Sequence, residues 1–205
     1  MLPSSSAVIE NVDGMCAAGP AIMAYYYFDY GDDKKQNCYG LLSSLVLQLS
    51  TKSDHYSDIL SQLYSSYPGG IRSPTISVLK KCMKDMLSLP GQDQIYIIVD
   101  ALNACPDVSI PSAREEVLDL IEELARMSLS NFHLCVSSTP TESDIRDRLE
   151  PLKPLQICLH DEPGQKNALT KYIDSVVHSD RRMQSWSPEE KKVVANVLAK
   201  KADGM

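Results

Sequence analysis

Apolar positions along the chain follow two alternating rhythms. Short, nearly unbroken runs at 22–30 (IMAYYYFDY), Gln94–Asp100 (QIYIIVD), 132–137 (FHLCVS) and 155–159 (LQICL) predict four strands. Three of them carry almost no polar residue, the pattern of a strand covered by helices on both faces. The first reads as half-buried, because a tyrosine can bury its ring and leave its hydroxyl in water.

Between the runs the spacing turns helical. Leu41, Leu42, Leu45, Val46 and Leu49 share one helix face, and Ile59, Leu60, Leu63, Tyr64 and Tyr67 another, stopped by Pro68-Gly69-Gly70. Ser73-Pro74 predicts an N-cap with proline at the first helical position, ahead of Ile76, Leu79, Met83, Met86 and Leu87. Val117, Leu118, Leu120, Ile121, Leu124 and Ala125 mark a fourth helix. Asp161 and Pro163 open a fifth, with Leu169, Tyr172, Ile173, Val176 and Val177. Ser187-Pro188-Glu189-Glu190 is a capping box for the last, which carries Val193, Val194, Val197 and Leu198. Strands alternating with helices predict a parallel sheet between helical layers. The expected division is an α/β core over 1–160 and the start of a helical subdomain over 161–205.

Composition narrows the partners. A net charge of -7 with scattered basic pairs argues against nucleic acid, whose phosphates require clustered Lys and Arg. No apolar stretch reaches the roughly 18 residues of a membrane span, and no charged region precedes an apolar core near the start, so no membrane partner and a cytoplasmic location are expected. The six cysteines, Cys16, Cys38, Cys82, Cys105, Cys135 and Cys158, form no C-x-x-C pair. They read as buried free thiols, Cys135 and Cys158 most clearly, since both lie inside apolar runs. Cys105 has no histidine near it in sequence and reads as structural.

Asp100 is the one candidate for chemistry. Ligands of open parallel sheets bind beyond the carboxyl ends of the strands. A carboxylate there can hold Mg²⁺, usually through water, beside the phosphates of a nucleotide. The plain alternative is a turn or helix-capping aspartate. The mixed-charge run of Asp144, Arg146, Asp147, Arg148 and Glu150 reads as a solvated helix face, and Trp186 as a packing residue ahead of a capped helix.

Several stretches taken together resemble the NACHT domains of the signal-transduction ATPases, in particular the large fungal group related to the nephrocystin N-terminal region. Tyr26-Tyr27-Phe28-Asp29-Tyr30 with Lys34-Lys35-Gln36 resembles that family's second strand and basic turn, and the run from Gly40 to Leu49 its following helix. Tyr96-Ile97-Ile98-Val99-Asp100-Ala101-Leu102 is similar to its Walker B strand, and Cys135-Val136-Ser137-Ser138-Thr139-Pro140 to its sensor strand. Leu159-His160-Asp161-Glu162 and the stretch from Trp186 onward resemble its C-terminal helical segments. The resemblance implies a P-loop-NTPase-like α/β fold, with Asp100 as the Walker B aspartate, able to hold a metal only with nucleotide, and Thr139 at the sensor position. Intact relatives bind Mg-ATP or Mg-GTP.

This sequence departs from the pattern in three places. No glycine is followed by lysine, so the loop G-x-x-x-x-G-K-[ST] is lacking, and the chain is expected to begin just beyond it. Asn103 and Ala104 stand where the family usually carries acids after the Walker B aspartate, and neither can act as a base. Thr139 stands where an arginine is usual. The resemblance also places the P-loop strand between the Walker B and sensor strands. Its loss leaves two outcomes: the flanking strands close up and pair, or a marginal domain exposes open edges. The expectation is a degenerate, non-catalytic regulatory or protein-interaction module with no catalytic residue and no bound cofactor. Asp100 is then a vestige, and protein partners or self-association take the place of nucleotide. The alternative is an ATP- or GTP-hydrolysing switch whose N-terminal P-loop is missing from this chain.

Overall fold

The computed structural model describes residues 9–10, 12–14, 16–17, 19, 21–65, 73–108, 111–157 and 163–201. They divide into two compact units, one up to Pro154 and one from Leu155 onward.

The first unit is α/β. Its strands are β1 (Ala21–Tyr27), β2 (Gln94–Asp100) and β3 (Phe132–Val136), and its helices α1 (Cys38–Ser50), α2 (Asp54–Ser65), α3 (Ile76–Leu87), α4 (Ala113–Ala125) and α5 (Ser143–Leu149). The sheet is all-parallel in the order β1-β2-β3. Strands β2 and β3 pair directly. Ile95 pairs with Phe132, Ile97 with Leu134 and Val99 with Val136, with no strand between them.

The register separates the two faces of the sheet. Ile22, Ala24 and Tyr26 of β1, Ile95, Ile97 and Val99 of β2, and Phe132, Leu134 and Val136 of β3 share one face. All nine belong to the main core or pack against it, together with Leu41, Leu45 and Leu49 of α1, Met83 and Met86 of α3 and Val117 and Ile121 of α4. The opposite face carries Met23, Tyr25 and Tyr27, Tyr96 and Ile98, then His133 and Cys135. Met23 and Ile98 are buried, whereas Tyr25, His133 and Cys135 are exposed. The half-buried reading of the first strand therefore holds. Cys135 corrects an expectation: the run FHLCV is apolar enough for a doubly covered strand, but its odd positions face the more open side.

Caps set most of the element ends. Asn37 accepts from the Gly40 N–H at 2.8 Å to start α1, and Ser112 forms a full capping box with Glu115 at α4. Helix α3 starts later than expected. Thr75, rather than Ser73, is its N-cap, because the Thr75 hydroxyl accepts from Val78 N–H and its carbonyl takes the first helical bond, from Leu79. Strand β1 stops at Tyr27, three residues short of the expected end, where the chain turns at Asp29 to Gly31. The Ser137 end of the third strand also lies just outside the regular ladder.

The second unit holds α6 (Pro163–Ser179) and α7 (Pro188–Lys201), packed through Ile173, Val177 and Ala195. The capping box expected at Ser187 is present. Glu190 accepts from the Ser187 N–H at 2.7 Å, and Glu190 N–H donates back to the Ser187 hydroxyl. Residues 155–157 of the expected fourth strand belong to no strand, and 158–159 lie outside the described residues. Tyr67, the Pro68-Gly69-Gly70 stop, Cys158 and Asp161 also lie outside them.

Candidate functional site

The carboxyl ends of the three strands meet at Asp100. It ends the central strand, is 3 % exposed, and its register partner on β1 is Tyr27. Burial first, then the neighbouring Tyr25 and Asp100, push the Tyr27 phenol above its ordinary pKa. On the other side the Ser137 hydroxyl donates to the Asp100 carboxylate in a short hydrogen bond.

That contact follows from the way the chain leaves the sheet. Ala101 is left-handed (φ 55°), a conformation that costs an L-residue roughly 1–2 kcal/mol. The turn lets Ala101 N–H donate to the Ser137 hydroxyl at 3.0 Å and Leu102 N–H to the Ser137 carbonyl at 2.9 Å. Ser137 N–H in turn donates to Val99 C=O at 2.9 Å. The Ser137 hydroxyl thus accepts from one residue after β2 while donating to the last residue of it.

A second clasp lies just beyond. Arg114, in the first turn of α4, is 8 % exposed and uses all three guanidinium nitrogens on neighbours. Its Nε donates to Cys105 C=O at 2.9 Å, and Nη2 to Asn103 C=O at 3.0 Å. Nη1 reaches Glu142 at 2.7 Å and Asp144 at 3.0 Å. Asn103 is further held by its side chain, which donates to the Tyr30 hydroxyl at 2.8 Å and accepts from Thr139 N–H at 3.3 Å. Of the residues the sequence singled out, Asn103 and Thr139 are in direct contact, with Thr139 contributing a backbone group, while Asp100 is bonded to Ser137. Cys105 donates to Gln36 C=O at 3.4 Å, and burial pushes its thiol up to about 12, with Arg114 opposing the rise. It is an inert, structural thiol.

Sequence reasoning missed Arg114. It stands among charged residues in A-R-E-E, and nothing local distinguishes it from a solvated helix residue. The reading of 144–150 as a solvated face holds for Asp147 and Glu150 and fails for Asp144 and Arg148. Asp144 binds Arg114, and Arg148 reaches back to Asp119 and Glu122 of α4, both at 2.6 Å. Trp186 is 38 % exposed ahead of α7.

A profile of the nephrocystin 3 N-terminal region matches residues 4–139, about two thirds of the chain. The chain belongs to the nephrocystin 3 N-terminal family. The matched stretch of this nephrocystin-type domain takes in all three strands and ends at Thr139, so the Asp100–Ser137 contact and the Asn103–Thr139 contact both lie within it. Arg114 also lies within it, but its acidic partners Glu142 and Asp144 lie beyond. No curated protein and no solved structure matches the chain.

Magnesium-bound nucleotide is the ligand that the Walker-type resemblance implies for this position. The donor set does not fit it. Asp100 is buried and bonded to Ser137, and all three nitrogens of the Arg114 guanidinium are engaged within the protein. Among the described residues no three His, Cys, Asp or Glu side chains converge on an all-protein metal position, a cluster that a nucleotide-held Mg²⁺ does not need. Nor, among them, is any helix long and apolar enough to cross a membrane.

Proposed function

We propose that this nephrocystin-type domain is a non-catalytic regulatory or protein-interaction module, a degenerate NACHT-like member of the signal-transduction ATPases acting in the cytoplasm. The observation that carries the reading is the engagement of Asp100. A Walker B carboxylate must face the phosphates through metal-bound water. Here the carboxylate faces a serine hydroxyl across two directly paired strands. Asn103 and Thr139 support the same reading, because both are neutral where the NACHT resemblance expects an acid and an arginine, and both are occupied in holding the strand ends together. The net charge of -7 favours protein over nucleic acid as the partner.

The test is titration of the purified chain with fluorescent ATP and GTP analogues in the presence of Mg²⁺. No saturable binding is expected. Saturable binding lost in Asp100→Ala would replace this reading with the nucleotide-hydrolysing switch.

A further inference from the structure

The two edges of the sheet are unequally protected. On β1 the outward-facing amide of Tyr25 is satisfied by one side chain from α1. Tyr25 N–H donates to Gln48 Oε1 at 3.1 Å, and Gln48 Nε2 donates to Tyr25 C=O at 2.7 Å and to the Ser44 hydroxyl at 3.0 Å. At Tyr25, Gln48 does what a neighbouring strand would do.

Among the described residues, strand β3 has no such guard. In a parallel ladder, residues alternate between facing the neighbour and facing away. Asn131 C=O accepts from Ile95 N–H, and Ser137 N–H donates to Val99 C=O. Positions 131, 133, 135 and 137 therefore face β2, and the N–H and C=O groups of Leu134 and Val136 face away from it. Among the described residues these four groups have no hydrogen-bond partner. The strand also lacks the usual deterrents of a solvent-facing edge, since FHLCV contains no lysine, no acid and no proline.

We propose that β3 pairs antiparallel with β3 of a second copy, about a twofold axis at Leu134, giving a closed dimer with one continuous six-stranded sheet. The strand is complementary to itself in that register. Leu134 meets its own counterpart, and Phe132 meets Val136 of the second copy, both pairs on the face that already carries Ile95, Ile97 and Val99. His133 meets Cys135 of the second copy on the opposite face, so no like charges are opposed. An arbitrary peptide would have to supply that apolar alternation, whereas a second copy carries it already. Because a twofold at Leu134 uses the β3 edge of both copies at once, pairing along β3 is complete at two copies and does not run on into a fibre.

The inference rests on the protein-interaction reading for the class of partner, yet the two fail separately. Nucleotide titration decides that reading, and sedimentation of the nucleotide-free chain decides this one. Sedimentation velocity of the 205-residue chain over a micromolar series is expected to show a species of twice the 22.7 kDa monomer mass. The double variant His133→Lys, Cys135→Lys alters two exposed positions and sets lysine against lysine on both sides of the axis. It is expected to sediment as a monomer with unchanged far-ultraviolet circular dichroism. In His133→Cys, the new thiol and Cys135 of the second copy occupy a non-hydrogen-bonded pair, whose Cα atoms lie about 4.5 Å apart in antiparallel sheets. Diamide should then take up the two thiol hydrogens and the electron pair and leave an intermolecular disulfide between 133 and 135, read by peptide mapping. A monomer at every concentration, a dimer indifferent to the double lysine variant, or assemblies that grow steadily beyond two would each overturn the proposal.

Discussion

The hydroxyl of Ser137 donates to the carboxylate of Asp100 and accepts from the N–H of Ala101, so one side chain just after β3 locks both the last residue of β2 and the turn after it. The two residues are 37 apart in sequence and are neighbours because their strands pair without an intervening one. Ser137→Ala removes a hydrogen bond to a buried charged group and orphans a backbone donor. Each such loss costs about 1–3 kcal/mol. A total of roughly 2–6 kcal/mol is expected, measured by urea denaturation. A change under 0.5 kcal/mol would mean that the contact is incidental.

Arg114 holds the next layer. Truncating it strands two carboxylates and two carbonyls, and breaking a buried pair typically costs about 3–5 kcal/mol. Glu142 and Asp144 remain partly in solvent, so Arg114→Ala should lie nearer 2–3 kcal/mol. Arg114→Lys should recover little of this, because an ammonium cannot reproduce the fork that reaches Cys105, Asn103 and both acids. Full rescue by lysine would show that charge alone suffices.

Gly40 sits in the first turn of α1, against the backbone. A Cβ there would lie 2.4 Å from Lys34 C=O and 2.8 Å from the Tyr26 hydroxyl. Alanine normally gains about 1 kcal/mol over glycine within a helix, while forced overpacking costs about 1–3 kcal/mol or more. A carbonyl cannot swing aside as a flexible side chain can, so the clash wins. Gly40→Ala is expected to lower the midpoint of thermal unfolding, and a raised midpoint would contradict the close approach.

Glu123 of α4 bridges Lys80 at 2.8 Å and Lys84 at 2.7 Å on α3. Hydrogen bonds from the two lysines hold its carboxyl below the ordinary glutamate value. A depressed folded-state pKa means stability that is present above the unfolded value, about 4.3, and is lost as pH falls through the lower folded value. The side chains are about a third exposed, so Glu123→Gln should cost only about 0.5–1 kcal/mol at pH 7. The gap between variant and parent should close as pH drops below 4, as followed by denaturation at a series of pH values.

The order of elements was legible in the sequence, because apolar period and capping chemistry are local. The Leu41–Leu49 stripe, the Ser112 and Ser187 capping boxes, and the placement of Asp100 at a strand end all depend on residues within a turn or two of one another. Membership of the nephrocystin 3 N-terminal family is likewise carried by sequence over 4–139. The limits of local reading show at Cys135 and Arg114. An apolar run does not reveal which of its faces a helix will cover, and an arginine among glutamates looks solvated until Cys105 and Asn103 carbonyls are folded against it. The sequence by itself determined the three strands of the sheet, the helices and the family, while the fourth strand it suggested at 155–159 is no strand over 155–157. Only the tertiary structure decided that β2 and β3 pair directly, that the Asp100 carboxylate accepts from Ser137, and that Gln48 caps Tyr25 on one sheet edge while the outward groups of Leu134 and Val136 on the other have no partner among the described residues. Those outcomes depend on strand register, which is set by packing between segments 20 to 40 residues apart and not by the propensity of any one of them.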